Sequence, residues 1–234
     1  MKNFFRKLQK YHYSLLFLSL MILIFLPYFA GGPIQQIITT ICLSLVFLIA
    51  IEAVSTPRRF LALGIVSAVL LIVLDWSIYL LRDEGVFRAI AYSFFLIYMV
   101  FVAYRLLLYI VKNKNVDGQV IMAAISVYLL LGLVGALLAG VIDLIYPAAY
   151  SISNTGIGLP WREFLYYSFV TLTTLGYGDI YPVIDESRAL AMLLSIAGPF
   201  YLATVIAILI SKFTLKRDLE QMNQDESATQ SNSH

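Results

Sequence analysis

Thr171-Leu172-Thr173-Thr174-Leu175-Gly176-Tyr177-Gly178-Asp179 is the stretch that decides the fold, and it lies between two long apolar segments. It is too polar to span a bilayer and too apolar for an ordinary surface loop. Residues 174–178 offer four backbone carbonyls and one threonine hydroxyl that can be directed toward a single axis. We therefore expect the rest of the chain to hold this loop in a fixed place.

The composition predicts a membrane protein. The 234 residues are 61% hydrophobic and 13% charged, with a mean hydropathy of +0.86, whereas soluble domains are about 45–50% apolar and about 25% charged. The net charge of +2 gives no indication of nucleic-acid binding. Cys42 is the single cysteine, which excludes an intrachain disulfide. Because no hydrolase, metalloprotease or nucleotide-binding motif occurs, we predict neither an enzyme nor a cofactor.

Six apolar segments are close to or above the length of about 20 helical residues that a bilayer requires. They cover residues 14–30, 34–54, 60–81, 86–111, 119–145 and 188–213. Because lipid cannot satisfy backbone polar groups, each is predicted to be a helix. The first segment follows a basic start, as in a signal peptide, but it lacks a clear small-residue cleavage site. We expect it to be retained.

The segment between the fifth and sixth spans has a different character. Pro160 and Glu163 are typical of a helix start, and residues 164–173 continue it for too few residues to cross a bilayer. Residues 175–182 must then return to the same side. Irregular backbone at membrane depth is tolerated only where protein or water lines it, so this segment is predicted to enter a wet, protein-lined cavity.

The basic residues predict the orientation. Six spans place both termini on one side, and most of the basic residues lie on that side. They are Lys2, Arg6, Lys7, Lys10, Arg58, Arg59, Lys112, Lys114, Lys212, Lys216 and Arg217. The opposite side carries only four arginines, at positions 82, 88, 162 and 188. The positive-inside rule makes the first side cytoplasmic and the loop external.

The loop is suited to a dehydrated potassium ion, whose water shell is replaced by rings of carbonyl oxygens. One chain supplies too few oxygens, so four copies around an axis are needed. Gly176 and Gly178 allow the positive φ values that bring successive carbonyls to one side. Thr174 adds a hydroxyl at the inner end, and the preceding half-helix directs its partially negative end toward the cation.

Aromatic residues are expected to support this loop. Tyr177 should point away from the axis and pack on Tyr166, Tyr167 or Trp161, which would set the diameter of the loop. The simpler alternative is that the stretch is a glycine-containing turn between two helices. Its position after a half-helix and between two spans favours the ion-binding interpretation.

Residues 164–179 resemble the pore region of tetrameric potassium channels, whose filter usually reads Thr-Val-Gly-Tyr-Gly-Asp. The resemblance implies that residues 174–177 coordinate the ion, and that Gly178 and Asp179 shape the outer mouth with support from Thr173. Leu175 departs from the usual Val or Ile, and Tyr166-Tyr167 stand where many members carry a pair that includes Trp. Residues 195–204 also resemble the inner helix of bacterial channels of this group; the first four spans match only in number.

The resulting prediction is an all-α membrane protein with six transmembrane helices, a re-entrant pore helix and a selectivity-filter loop. Residues 1–13 would be a cytoplasmic N-terminus, 14–115 a four-helix domain, 116–213 the pore domain and 214–234 a disordered cytoplasmic tail. The expected partners are three further copies in a homotetramer, the lipid bilayer of a plasma membrane (a bacterial inner membrane) and permeant K⁺. No nucleic acid is expected, and a separate regulatory subunit is left open.

Gating is less readable from the sequence. Gly198-Pro199 in the sixth span can be a gating hinge or a static kink. The fourth span has only Arg88 and Arg105, about 25 Å apart along a helix, so strong voltage sensing is not expected.

Glu52, Asp75, Arg105 and Asp143 are ionisable residues within or near spans, where charges are usually paired or functional. Glu52 can pair with Arg105, and Asp75 with Arg88. Structural pairing is the simpler interpretation, and a vestigial sensor or proton-linked role is the alternative.

Two further functions are considered. A weakly selective cation channel would differ only in the rigidity of the filter. A secondary transporter or uptake subunit usually carries several pore repeats or inverted repeats in one chain, and Gly-Tyr-Gly occurs once here.

Overall fold

The computed structural model describes residues 11–54, 61–81, 86–113, 116–152 and 160–231. These ranges form seven α-helices and one pair of short strands. The helices are α1 (His12–Phe25), α2 (Gly32–Val54), α3 (Leu61–Leu81), α4 (Val86–Lys112), α5 (Gly118–Ile145), α6 (Trp161–Leu172) and α7 (Asp185–Ser231). Strands β1 (Tyr150–Ile152) and β2 (Ile180–Pro182) flank α6 and the loop that follows it.

Five stretches within the described residues are long and apolar enough to cross a membrane. They are His12–Phe29, Ile34–Ile51, Phe87–Lys112, Gly118–Ile145 and Asp185–Thr214. A sixth apolar stretch, Gly64–Leu80, is shorter and lies in α3, between residues 55–60 and 82–85, which lie outside the described part. The chain is therefore an all-helical, multi-pass membrane protein in its main features.

The first span is not one regular helix. α1 ends at Phe25, and Leu26–Phe29 form a 3-10 turn with Pro27 in its first positions. Proline cannot donate a backbone hydrogen bond, so it ends the α-helical pattern here. The turn brings the Tyr28 hydroxyl to the backbone carbonyl of Arg162 in α6, to which it donates at 2.8 Å.

The four-helix unit, α1–α4, packs against α5. α4 is joined to α5 by residues 113–117 and lies along it. Asp117 caps α5, because its carboxylate accepts from the backbone N–H of Val120 at 2.9 Å. α1 also contacts α5, where Gln119 Nε2 donates to Ser14 Oγ at 2.8 Å.

Aromatic packing holds α2 and α4 together in the core of the four-helix unit. Phe47 is fully buried, and its ring lies 5.3 Å from that of Phe95 and 5.6 Å from that of Tyr98. The Tyr98 hydroxyl donates to the Phe47 carbonyl at 3.2 Å. The buried phenol thus has a partner inside an apolar core.

Two glycines in α5 admit α6. The Ser168 hydroxyl donates to the Gly132 carbonyl at 2.7 Å. A Cβ at Gly132 would collide with the Phe169 ring, and one at Gly135 would collide with Ser168 Oγ. The absence of these side chains lets the two helices approach closely.

The last helix is longer than the sequence predicted. α7 continues to Ser231 and does not end at Phe213, so the described part of the tail is helical and the expectation of disorder there is wrong. Residues 214–231 contain no glycine or proline and are rich in Leu, Lys, Arg, Glu, Gln and Met, which favour helix. Helix propensity therefore extends the apolar span into a polar segment.

Lys212 joins α7 to the end of α4. Its Nζ donates to the backbone carbonyls of Ile110, Val111 and Asn113 at 2.6, 2.8 and 2.6 Å. The last carbonyls of a helix have no intrahelical partners and carry a partial negative charge. The ammonium group therefore caps α4 from a neighbouring helix.

Candidate functional site

The predicted half-helix is α6, which begins directly after Pro160 and ends at Leu172. Its 12 residues span about 18 Å, too little for a hydrocarbon core of about 30 Å. One face of α6 is buried against α5 and α7 through Phe164, Leu165, Tyr167, Ser168 and Leu172. The helix is thus a fixed support for the loop at its C-terminus.

The loop begins by turning its amides back toward α6. The backbone N–H groups of Leu175 and Gly176 both donate to the carbonyl of Val170, at 3.0 and 3.2 Å. In a planar trans peptide the carbonyl points opposite to the following N–H. The carbonyls of Thr174 and Leu175 are therefore directed away from α6.

The backbone handedness alternates along the loop. Thr174, Gly176 and Gly178 have φ values of 60°, 58° and 78°, whereas Leu175 and Tyr177 are not among the positive-φ residues of the described part. This alternation reverses every second peptide relative to an ordinary extended chain, so successive carbonyls come to one side. A Cβ at either glycine would meet nothing within 4 Å, so backbone conformation, not space, requires glycine there.

Thr174 takes a left-handed conformation without being glycine, which costs about 1–2 kcal/mol. Thr173 precedes it as the C-cap of α6, and its hydroxyl donates to the carbonyl of Phe169 at 2.7 Å. The end of α6 is thereby held while the chain reverses. Strain of this kind persists only where surrounding structure enforces it, commonly at functional sites.

Asp179 ties the outer end of the loop to α6. The Tyr166 hydroxyl donates to Asp179 Oδ2 at 2.7 Å, and the Ile180 backbone N–H donates to Oδ1 at 3.1 Å. The hydrogen bond to Asp179 raises the pKa of Tyr166 to about 12. The phenol therefore keeps its proton, and this hydrogen bond, at neutral pH.

A two-stranded pairing that the sequence does not reveal joins the chain before α6 to the chain after the loop. Tyr150 pairs with Pro182, and Ser151 pairs with Tyr181, in antiparallel register. Next to this pair, the Val183 N–H and the Ser187 hydroxyl both donate to the Ala149 carbonyl, each at 2.9 Å. Strands of three residues are too short to show a period of two in the sequence.

The single chain shows where the predicted aromatic residues lie, and their packing on Tyr177 stays a prediction. Within one chain Tyr177 is 67% exposed. The Tyr167 ring instead lies 5.0 Å from Tyr150, and the Trp161 ring lies 5.7 Å from Tyr92. Among the three predicted supports, Tyr166 forms a side-chain hydrogen bond to the loop in the described structure, and its acceptor is Asp179. The described residues of its own chain leave the Tyr177 side chain largely uncovered.

Gly198 lies where α7 passes the end of α6, and its roles as a gating hinge or a static kink stay predictions. α7 remains helical through Gly198 and Pro199, and a Cβ at Gly198 would collide with the carbonyl oxygen of Leu172 at the end of α6. Glycine is therefore needed for close approach of α7 to the support of the loop. Nearby, the Tyr201 hydroxyl donates to the Ala124 carbonyl of α5 at 2.6 Å.

The intramembrane ionisable residues do not gather at the loop. Asp75 and Arg88 line one cavity. The side chain of Glu52 lies outside the described residues, so its pairing with Arg105 stays a prediction. Among the described residues no three His, Cys, Asp or Glu side chains group as a metal site.

Comparison with known families gives one match. Residues 123–215 match the family model described as an ion channel. They form an ion channel domain. The matched range begins in α5, includes α6, the loop and β2, and ends in α7, so it contains the loop and the helix that supports it. The match is consistent with a potassium channel family. No curated protein and no solved structure matches the chain.

Proposed function

We propose that the chain is one subunit of a tetrameric, potassium-selective channel that conducts K⁺ passively through residues 174–177. The observation that carries the proposal is the alternating handedness at Thr174, Gly176 and Gly178, together with amides that bond back to Val170. This arrangement leaves a row of carbonyls free to replace the water shell of an ion. The Thr174 hydroxyl extends the row at its inner end.

The single chain supports a four-fold assembly because its functional surface is incomplete. Residues 173–179 are exposed in one chain, although the row of carbonyls needs partners on other sides of an axis. α7 also exposes a series of large apolar side chains. They include Met192, Leu193, Ile196, Phe200, Ile206, Ile210 and Phe213. Neighbouring subunits and lipid are the natural cover for these surfaces.

In this proposal α6 is a re-entrant pore helix, and α1–α4 with α5 and α7 provide six spans. Both termini lie in the cytoplasm, as the basic residues indicate, in a plasma membrane of the bacterial inner-membrane type. Gly178 and Asp179 form the outer mouth. Voltage dependence is weak, because Arg88 and Arg105 are the basic residues of α4 above its last turn.

The test is the reversal potential of purified protein in liposomes under opposed K⁺ and Na⁺ gradients. A potassium-selective channel follows the K⁺ gradient. Equal response to Na⁺ would indicate a weakly selective cation channel, and absence of current would favour a transporter. Electrogenic flux without an added energy source establishes that transport is passive.

Two variants link the current to the loop. Gly176→Ala places a Cβ at φ 58°, where L-residues are strained, so we expect selective current to be lost. Leu175→Val changes only the side chain behind a carbonyl and serves as the matched control, with wild-type selectivity. Selective current in Gly176→Ala would contradict the assignment of the filter.

A further inference from the structure

A cavity of about 750 Å³ lies between the four-helix unit and the helices α5 and α6. It is distinct from the loop, since none of residues 173–179 lines it. Its size is typical of small-molecule sites, which range over about 300–1,000 Å³. Its wall combines apolar side chains with a few polar groups, as such sites usually do.

Two carboxylates face the cavity with unused bonding capacity. Asp75 is only 8% exposed, and its Oδ2 has no hydrogen-bond partner in the described structure. Asp143 Oδ1 is also a buried oxygen atom without a hydrogen-bond partner among the described residues. Burying a carboxylate without a partner costs free energy. A positively charged occupant would supply that partner and offset the cost.

The charge around the cavity favours a cation. Arg88 and Arg162 also line it, but Arg162 is paired with Glu163 at 3.0 Å. With Glu163 included, three carboxyl groups and two guanidinium groups surround the cavity, so one cationic occupant balances the formal charges of these groups. Asp75 does not form a three-ligand acidic cluster with described neighbours, so a divalent metal ion is disfavoured.

Aromatic and apolar groups define the body of the ligand. Tyr92 and Trp161, whose rings lie 5.7 Å apart, both face the cavity with Tyr79. Aromatic faces attract cations within about 6 Å. Phe95 and Leu137 supply apolar surface beside them. An ammonium group attached to a small apolar body satisfies all of these features.

We propose that this cavity binds one small organic cation per chain, with the ammonium group on Asp75 and the apolar body against the aromatic wall. Because Trp161 and Phe164 at the start of α6 form part of that wall, an occupant contacts the helix that supports the loop. The site therefore links a ligand in the four-helix unit to the position of α6.

The test uses phenethylammonium, with phenethyl alcohol as a neutral analogue and 3-phenylpropanoate as an anionic one. Calorimetric titration of the purified full-length protein should show saturable binding of the cation at one molecule per chain. Asp75→Asn should weaken that binding about tenfold or more, since a charged hydrogen bond is lost. Asp143→Asn is a second variant with the same expected direction. Asp185→Asn, whose side chain is 97% exposed and outside the cavity, should leave it unchanged.

A second measurement, the thermal midpoint, distinguishes a specific loss of ligand binding from a general loss of protein stability. Asp75→Asn should raise the thermal midpoint without ligand, because it removes a buried, partly unpartnered carboxylate, and should abolish stabilisation by phenethylammonium. One cation per four chains would mean pore block and overturn the proposal. Equal binding of the neutral analogue, or preference for the anion, would also overturn it. The assay needs no conductance, so its outcome is independent of the proposed channel function.

Discussion

At the residue scale, one tyrosine of α6 holds the end of the loop at Asp179 and its neighbour does not. Tyr166 bonds to Asp179 at 2.7 Å, whereas the buried Tyr167 hydroxyl has no hydrogen-bond partner among described residues. We expect Tyr166→Phe to free the end of the loop, so that current in liposomes decays faster during sustained opening. Tyr167→Phe is the matched control and should leave the current unchanged. Equal behaviour of the two variants would contradict the tether.

The same bond has a defined pH dependence. The pKa of Tyr166 is raised from 10.0 to about 12 by its hydrogen bond to Asp179. Because the folded pKa is the higher one, the stabilisation is complete below pH 10 and is lost as the pH rises through about 12. Current decay should therefore be constant between pH 6 and pH 9, which recordings at both values can check. Acceleration in that range in wild type but not in Tyr166→Phe would contradict this.

Gly198 is predicted to be a packing residue. Gly198→Ala would push α7 from the Leu172 carbonyl, at a cost of about 1–3 kcal/mol, and should lower the thermal midpoint in detergent. Pro199→Ala should not, because α7 is already helical there and the new N–H restores a helical bond. Gly118→Ala, which meets open space, is the steric control. A hinge would instead make both Gly198→Ala and Pro199→Ala change open probability at unchanged stability.

At the element scale, Lys212 connects the four-helix unit to α7. Lys212→Met keeps much of the side-chain volume but leaves three carbonyls at the end of α4 without their donor, at a cost of up to about 2 kcal/mol. We expect a lower thermal midpoint and an altered open probability in single-channel records. Lys212→Arg retains charge and donors and should stay close to wild type. Identical open probability in Lys212→Met and wild type would show that the contact does not couple the two elements.

The apolar segments predicted the helices well, because long runs of apolar residues have few alternatives in lipid. The backbone conformation of the loop between α6 and β2 was also predictable in part, because Gly176 and Gly178 indicate positive φ values at those positions. What the sequence did not reveal arises from tertiary contacts. β1 pairs with a strand that begins 28 residues after Ile152, and a carbonyl on another helix requires glycine at position 198. Neither leaves a local periodic signal.

The cavity and the Lys212 cap were missed for the same reason. From the sequence, Asp75 is recognisable as a costly charge within a span, and its position along that span suggests Arg88 as a partner but does not reveal the cavity between the helices. Lys212 reads only as a basic residue near the cytoplasmic end of a span. Its acceptors are backbone carbonyls about 100 positions earlier, and every residue offers such a group.

At the scale of the whole molecule, the exposed loop and the apolar face of α7 predict a tetramer. Light scattering of the detergent-solubilised protein, with the detergent mass subtracted, should give about four times the 26.3 kDa chain. Tyr177, which is 67% exposed in one chain, should become protected from oxidative surface labelling in that tetramer, whereas Tyr11, at 49% exposure, should not. A monomer that still conducts K⁺ would refute the four-fold pore.

The connection of residues 113–117 has a consequence for mixed assemblies. Five residues reach about 17 Å at most, and α4 already lies along α5 of its own chain. In the proposed tetramer, each four-helix unit would therefore lie beside the pore helices of its own chain. A defect in one unit should act locally, so co-assembling wild-type and Lys212→Met chains would produce graded, additive phenotypes in place of dominance by a single altered subunit.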